Sequence, residues 1–246
     1  MIVHFLISIF LFFSLSNNCL ALSDEQVSSL QNELKDKSVG DRIAFFAEGF
    51  VGTPYDPDPL GAYVTKAVIV TDEKVDCMYL TFRAVELALS STPGEAAEMA
   101  LDKRFHSKGV VANGKVVNYD DRFAYGEDMI TSGKWGKDIT AELGKTAAIK
   151  SPRTGESYYM LPNREILGGM SKLSNGDIVF FMKTPAAAVS NEIVGHIGII
   201  KINAGTIYLI HASGRKGKGG LVRETALRDY IRKMPFIGVI VTRFPD

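Results

Sequence analysis

Residues 196–211 read HIGIIKINAGTIYLIH. Two Ile-rich runs, the second carrying Tyr208, flank the turn-forming trio Asn203-Ala204-Gly205. That pattern predicts a β-hairpin. A two-residue turn at Asn203-Ala204, or a four-residue loop about the same centre, sets His196 opposite His211. Both imidazoles then project from one face, with Cβ atoms ~5 Å apart. A three-residue loop closing at Gly205 shifts the pairing by one unless a bulge restores it.

The same composition extends outward. Asp177–Met182 (DIVFFM) and Phe236–Phe244 are also rich in β-branched and aromatic residues, so the last third predicts an antiparallel sheet. The first part has helical periodicity. Val27, Leu30 and Leu34, then Ile43, Phe45, Phe46 and Phe50, mark a helix over 24–50. Gly52-Thr53-Pro54-Tyr55 and the Asp-Pro pairs at 56–59 read as loop, and Val64–Val70 as a short strand. A helix beginning at Cys77 has an apolar face of Met78, Phe82, Val85 and Leu89. Its opposite face, Tyr79, Arg83, Glu86 and Ser90, is amphipathic or polar, and Pro93-Gly94 stops it. Residues 95–150 read as helix with loops. Helices followed by antiparallel strands imply an α+β fold rather than a doubly wound sheet.

The chain has 246 residues, enough for one large domain. Lys+Arg and Asp+Glu number 28 each, and this zero net charge removes the counterion-release drive behind nucleic-acid binding. Residues 1–21 carry no Lys, Arg, Asp or Glu, and Phe5–Leu15 is an apolar run of signal-peptide length. Cleavage after Ala21 is expected, with lipidation at Cys19 or an uncleaved anchor as the other outcomes. The mature chain, 22–246, is then one exported, periplasmic catalytic domain without a membrane span. It divides into a helical lobe over about 22–170 and a β lobe over 171–246, and a monomer is expected. Cys77 is its only cysteine.

A lone thiol at a helix start can be a nucleophile. Asp76 is a good N-cap, and free N–H groups with the helix dipole favour a thiolate at the first helical position. A thiolate needs an imidazole as base, and that imidazole needs a third polar group to fix its tautomer. His196 and His211 can supply both. Gly198, having no side chain, leaves room beside His196 for substrate. His106, among Lys103, Arg104 and Lys108, reads as a solvated surface residue, and Arg215–Gly220 as a mobile basic loop able to steer anionic ligands.

Several motifs stand in a fixed order: Gly52-Thr53-Pro54-Tyr55, Asp76-Cys77, Asn118-Tyr119 with Arg122 and Tyr125, Gly136 with Asp138-Ile139-Thr140, Asn175-Gly176-Asp177, His196-Ile197-Gly198 and His211-Ala212-Ser213. From about Arg42 to Phe244 the chain resembles NlpC-type cysteine peptidases of bacterial cell walls, permuted relatives of papain. It is most similar to one amidase family among them, long described only as a domain of unknown function. Asp-Cys-Met-Tyr in place of Asp-Cys-Ser-Gly, and no Trp-Gly-Gly after the Pro-Tyr, favour that family over the endopeptidases.

The resemblance implies a papain-like NlpC-type fold and an N-acetylmuramoyl-L-alanine amidase acting on peptidoglycan fragments, with anhydro-muropeptides preferred and no cofactor or metal. Cys77 would be nucleophile, His196 base and His211 the orienting residue. Tyr55, Asp76, Arg122, Tyr125 and Ser213 would meet substrate, Arg122 by clamping a peptide carboxylate or else by serving an interlobe salt bridge. Three rivals stand beside this reading. They are a γ-D-glutamyl–diamino-acid endopeptidase with the same triad, a zinc amidase ligated by Cys77, His196 and His211, and a non-catalytic peptidoglycan-binding module.

Overall fold

The computed structural model describes residues 22–246, so the expected signal segment lies outside the described residues. The helical first part comprises α1 (Asp24–Leu34), α2 (Val39–Gly49), α3 (Ala62–Thr65), α4 (Cys77–Leu89) and α5 (Pro93–Lys103). Three local expectations change. The helix expected over 24–50 is broken in two because Ser38 caps a new start, its Oγ accepting the Asp41 N–H at 3.1 Å. The strand expected at Val64–Val70 is replaced by α3 and an irregular return. Asp56 Oδ2 accepts the Ala62 N–H at 2.6 Å, and Ala67 turns away at φ 55°. Pro93-Gly94 opens α5 behind a Thr92 cap, while α4 has already ended at Leu89.

The face of α4 expected to be polar is buried too. Arg83 and Glu86 are enclosed, and so is Arg104 of the Lys/Arg-rich stretch around His106. Arg104 grips Glu86 through two hydrogen bonds of 2.6 and 2.7 Å, and Arg83 joins Glu86 (3.2 Å) to Asp72 (2.9 Å). Charges buried this deeply persist only when each has a partner. His106 is exposed, as expected.

The chain continues through β1 (Val111–Ala112), β2 (Lys115–Val116), α6 (Gly126–Ser132), β3 (Lys137–Asp138), α7 (Thr140–Leu143), β4 (Ala147–Lys150), β5 (Ser157–Pro162), α8 (Asn163–Gly169), β6 (Ile178–Met182), β7 (Val194–Asn203), β8 (Thr206–Arg215), β9 (Gly219–Ala226), α9 (Leu227–Lys233) and β10 (Gly238–Arg243). The main sheet runs β4-β5-β10-β6-β7-β8-β9, with β3 added to β10, and all its pairings are antiparallel. Helices with an antiparallel sheet make the α+β arrangement expected. The sheet also takes β3 and β4 from the stretch 95–150 read as helix with loops, and β5 from the end of the expected helical lobe.

Alternation sorts the sheet's two faces. Ile197, Ile199 and Ile210 join Phe46, Leu80 and Phe82 in one core, while Ile200, Leu209, Phe181 and Tyr230 belong to another. The Asn175-Gly176-Asp177 motif is part of this frame. Asn175 Oδ1 accepts the Ile202 N–H at 2.6 Å, its Nδ2 donates to Asp41, and Asp177 holds Arg243 at 2.6 Å.

The hairpin turn lies one residue later than expected. Ala204 and Gly205 form it at φ 46° and 77°, and Asn203 pairs with Thr206. A two-residue hairpin favours positive φ at both central positions, and Gly205 supplies the second without steric cost. His196 and His211 therefore become diagonal neighbours on one face instead of a direct pair.

Removing one member of the buried ion network should be expensive. Glu86→Ala leaves buried Arg104 without a carboxylate and Arg83 with Asp72 alone, and is expected to cost about 3–5 kcal/mol in chemical denaturation, whereas exposed Glu98→Ala should stay within about 0.5 kcal/mol.

Candidate active site

The site assembles where three chain segments meet. Residues 52–56 form a strap. Tyr55 N–H donates to Gly220 O at 2.8 Å, Val222 N–H to Thr53 O at 2.8 Å, and Asp56 N–H to Val75 O at 3.0 Å. The strap thus binds the β9 edge to the residue preceding Asp76-Cys77. Asp76 caps α4, its Oδ1 accepting the Tyr79 N–H at 2.8 Å. Its Oδ2 takes Lys216 Nζ at 2.9 Å. Lys216 sits at the tip of the β8–β9 hairpin, so the segment expected to be a mobile loop is a strand turn tethered by an ion pair.

Cys77, His196, Tyr55, Asp76 and Arg122 line one cavity of about 310 Å³. Ile197, the residue after His196 on β7, lines the same cavity as Cys77, and its N–H lowers the thiol's pKa. A β-bulge at Gly195 precedes His196, between the pairs Phe181–His196 and Met182–Val194, and re-aims that end of the strand. His196 Nε2 lies 2.9 Å from His211 Nδ1, with the rings perpendicular. His211 Nε2 in turn lies 3.3 Å from Thr225 Oγ1. Tyr230 packs against both rings, 4.7 Å from His211 and 5.9 Å from His196 between centroids.

These contacts fit either of two tautomer chains, and one of them leaves His196 Nδ1 free to accept a proton. For His196 Nδ1 to face the cavity as an acceptor, Nε2 must carry the proton and donate it to His211 Nδ1. His211 then holds its proton on Nε2 and donates to Thr225. The facing ring nitrogens are spent on each other, which does not suit a metal shared by both rings. Among the described residues no group of three or more His, Cys, Asp or Glu forms a metal cluster.

Burial dominates the electrostatics. It pushes the Cys77 thiol up to about 12, with the Asp76 charge adding and the Ile197 N–H opposing. The expected thiolate-favouring balance at the helix start is therefore reversed, because desolvation outweighs the dipole. Burial, then the neighbouring His211, brings His196 down to about 3; burial, then Arg223, brings His211 down to about 4. Thiol and both imidazoles rest neutral.

Other expected site residues are placed differently. Arg122 faces the cavity and donates to Tyr119 O at 2.9 Å; among the described residues no carboxylate pairs with it, so it makes no interlobe salt bridge. Tyr125 does not line the cavity; its ring stacks under Arg153 at 4.5 Å. Ser213 pairs with Leu221 across β8–β9 and is also absent from the lining. The space expected beside Gly198 is filled by Leu209, which a Cβ there would meet at 2.6 Å. Gly214 instead makes the room that matters, since its Cβ would stand 2.2 Å from the Tyr55 ring. Sequence reasoning missed Thr225, which sits on β9, a strand hidden in an apparently loop-like run. It also missed Glu192, whose signal was only its position just ahead of a histidine strand.

Two results follow. Below the ordinary imidazole value of 6.5 an unfolded chain takes up protons that the buried rings refuse. Stability is thus full above about pH 6.5 and falls as pH drops toward 4. A His196→Gln/His211→Gln variant should show a shallower decline in melting temperature over that interval. Gly214→Ala should displace Tyr55 and cost about 1–3 kcal/mol in denaturant unfolding.

No family model and no curated relative matches the chain. Solved structures do share its fold. A Legionella pneumophila protein from a domain family of unknown function superposes with a TM-score of 0.68 at 18% identity, covering 91% of this chain and 94% of its own. An N-acetylmuramoyl-L-alanine amidase from Bacteroides uniformis gives 0.66 at 19%, covering 85% and 99%. A Bacteroides fragilis protein provisionally named a xylanase gives 0.64 at 23%, covering 82% and 100%. At these identities the likeness is one of fold.

Proposed function

We propose that the chain is a cysteine-dependent hydrolase with a papain-like NlpC-type arrangement, an N-acetylmuramoyl-L-alanine amidase acting on peptidoglycan fragments. Anhydro-muropeptides are its preferred class, and residues 1–21 export it to the periplasm. The observation that carries this reading is the 2.9 Å approach of His196 Nε2 to His211 Nδ1 in a cavity wall shared with a helix-start thiol. The amidase name of the Bacteroides uniformis likeness supports the substrate class.

His196 Nδ1 takes the Cys77 proton as sulfur attacks the lactyl carbonyl. The thiol rests protonated, so deprotonation and attack are coupled. The oxyanion is held by the Cys77 N–H, which has no acceptor within its helix, and by the Tyr55 hydroxyl. Collapse breaks the C–N bond, and His196 returns its proton to the departing alanine nitrogen. His196 then deprotonates a water that attacks the thioester, releasing the lactyl carboxylate and the thiol. Throughout, His211 accepts the same Nε2 proton, so one tautomer serves every step.

The xylanase name is the other chemistry on offer. Glycosidases flank the scissile bond with two carboxyl groups. The cavity's two acids are Asp76 and Glu192, and both oxygens of Asp76 are engaged by Tyr79 and Lys216. The thiol–imidazole pair is the better-equipped machinery.

Mass spectrometry of a defined anhydro-disaccharide peptide should show free sugar with its lactyl carboxylate and an intact peptide. Cys77→Ala should lower the rate by roughly 10³-fold or more, and iodoacetamide should inactivate where a chelator does not. A shortened stem peptide would point to the endopeptidase instead, and a fully active Cys77→Ala would remove the proposal. Thr225→Val is expected to lower kcat by roughly three- to tenfold, the worth of one neutral hydrogen bond, with Thr225→Ser restoring it.

A further inference from the structure

The tip of the β8–β9 hairpin reaches over the start of α4. Its Lys216 Nζ stands 2.9 Å from Asp76 Oδ2, and both residues line the cavity with Cys77. The tip is also seated on the strap. The Gly217 N–H donates to Pro57 O at 3.1 Å, and Lys216 Nζ lies 5.8 Å from the centre of the Tyr55 ring. Asp58, just beyond the strap, feels the same ammonium.

The carboxylate that Lys216 meets works against the chemistry. Asp76 caps α4 through Oδ1, which accepts the Tyr79 N–H at 2.8 Å, so its charge is fixed one residue ahead of the sulfur. Ser, Thr or Asn would cap a helix without a charge. A fixed negative charge there opposes negative charge on sulfur. Groups from each neighbouring element bear on the same atom. Asp76 and Glu192 oppose a thiolate, whereas Lys216 and the Ile197 N–H favour it. Tyr55 of the strap, His196 of β7 and Tyr230 of α9 are neutral, and Arg122 lines the cavity.

We propose that Lys216 is a positioning residue for the thiol: it cancels the Asp76 charge, so that the Cys77 sulfur can take on negative charge during attack. This rests on the cysteine chemistry above. It adds that the β8–β9 tip governs the reactivity of a sulfur carried by another element. Asp76 and Lys216 then act as a unit, and a tether without this electrical role would not couple the two residues at the sulfur.

Alkylation of Cys77 by iodoacetamide, a small neutral electrophile, reads the sulfur without any peptide substrate. Sulfur displaces iodide and its proton goes to solvent, and peptide mass spectrometry follows the adduct. At one fixed pH, Lys216→Met should react about three- to tenfold more slowly than wild type, the effect of one unpaired charge acting through partly wet protein. Its curve of rate against pH should move to higher pH. Lys216→Arg should keep the wild-type rate. The double variant Asp76→Asn/Lys216→Met should recover that rate, since Asn still caps the helix and no charge is left to cancel. A Lys216→Met rate equal to or above wild type, a Lys216→Arg rate as low as that of Lys216→Met, or a double variant no faster than Lys216→Met alone overturns the proposal. Wild-type hydrolysis of defined muropeptides reports separately on the amidase reading.

Discussion

The contact between His196 Nε2 and His211 Nδ1 constrains almost everything around it. Two imidazoles can meet at 2.9 Å only if one donates and the other accepts, so both must be neutral or share a single charge. With His196 as the donor, its Nδ1 is left as an acceptor and His211 needs an acceptor beyond it, which the Thr225 hydroxyl can provide. Phe181 and Tyr230 pack on the rings and Phe236 packs behind them, and this burial depresses their basicity.

The sheet makes that contact possible, and α4 brings sulfur to it. Strands β7 and β8 fix two rings on one face, while the bulge at Gly195 adjusts the first. The strap over residues 52–56 then ties β9 to the start of α4, so one hydrogen-bonded band positions Tyr55, Asp76 and the thiol together. Gly214 lets the Tyr55 ring lie against the hairpin. The result is a neutral thiol and a neutral imidazole lining one cavity, and the proposed reaction starts from these neutral groups rather than from an ion pair.

Much of this was legible in the sequence because parity is robust. Moving the hairpin turn by one residue shifts the pairing by two, so both histidines stay on one face whether the turn is Asn203-Ala204 or Ala204-Gly205. The Asp76 cap and the start at Cys77 were likewise local signals. What escaped was decided by tertiary contacts. Arg83, Glu86 and Arg104 look like a solvated face until their mutual pairing allows burial. Strand β9 begins in a run of Gly and Lys whose pairing with β8 overrides its composition. Glu192 has no motif, and its place in the cavity wall follows from where the chain turns at Ser190 and Asn191.

The most direct test of the account is nitrogen-15 NMR of the histidine rings at neutral pH. His196 should be neutral with its proton on Nε2 and a bare Nδ1, and His211 neutral with its proton on Nε2. A proton on His196 Nδ1, or a charged ring at pH 7, would contradict the relay on which the chemistry rests.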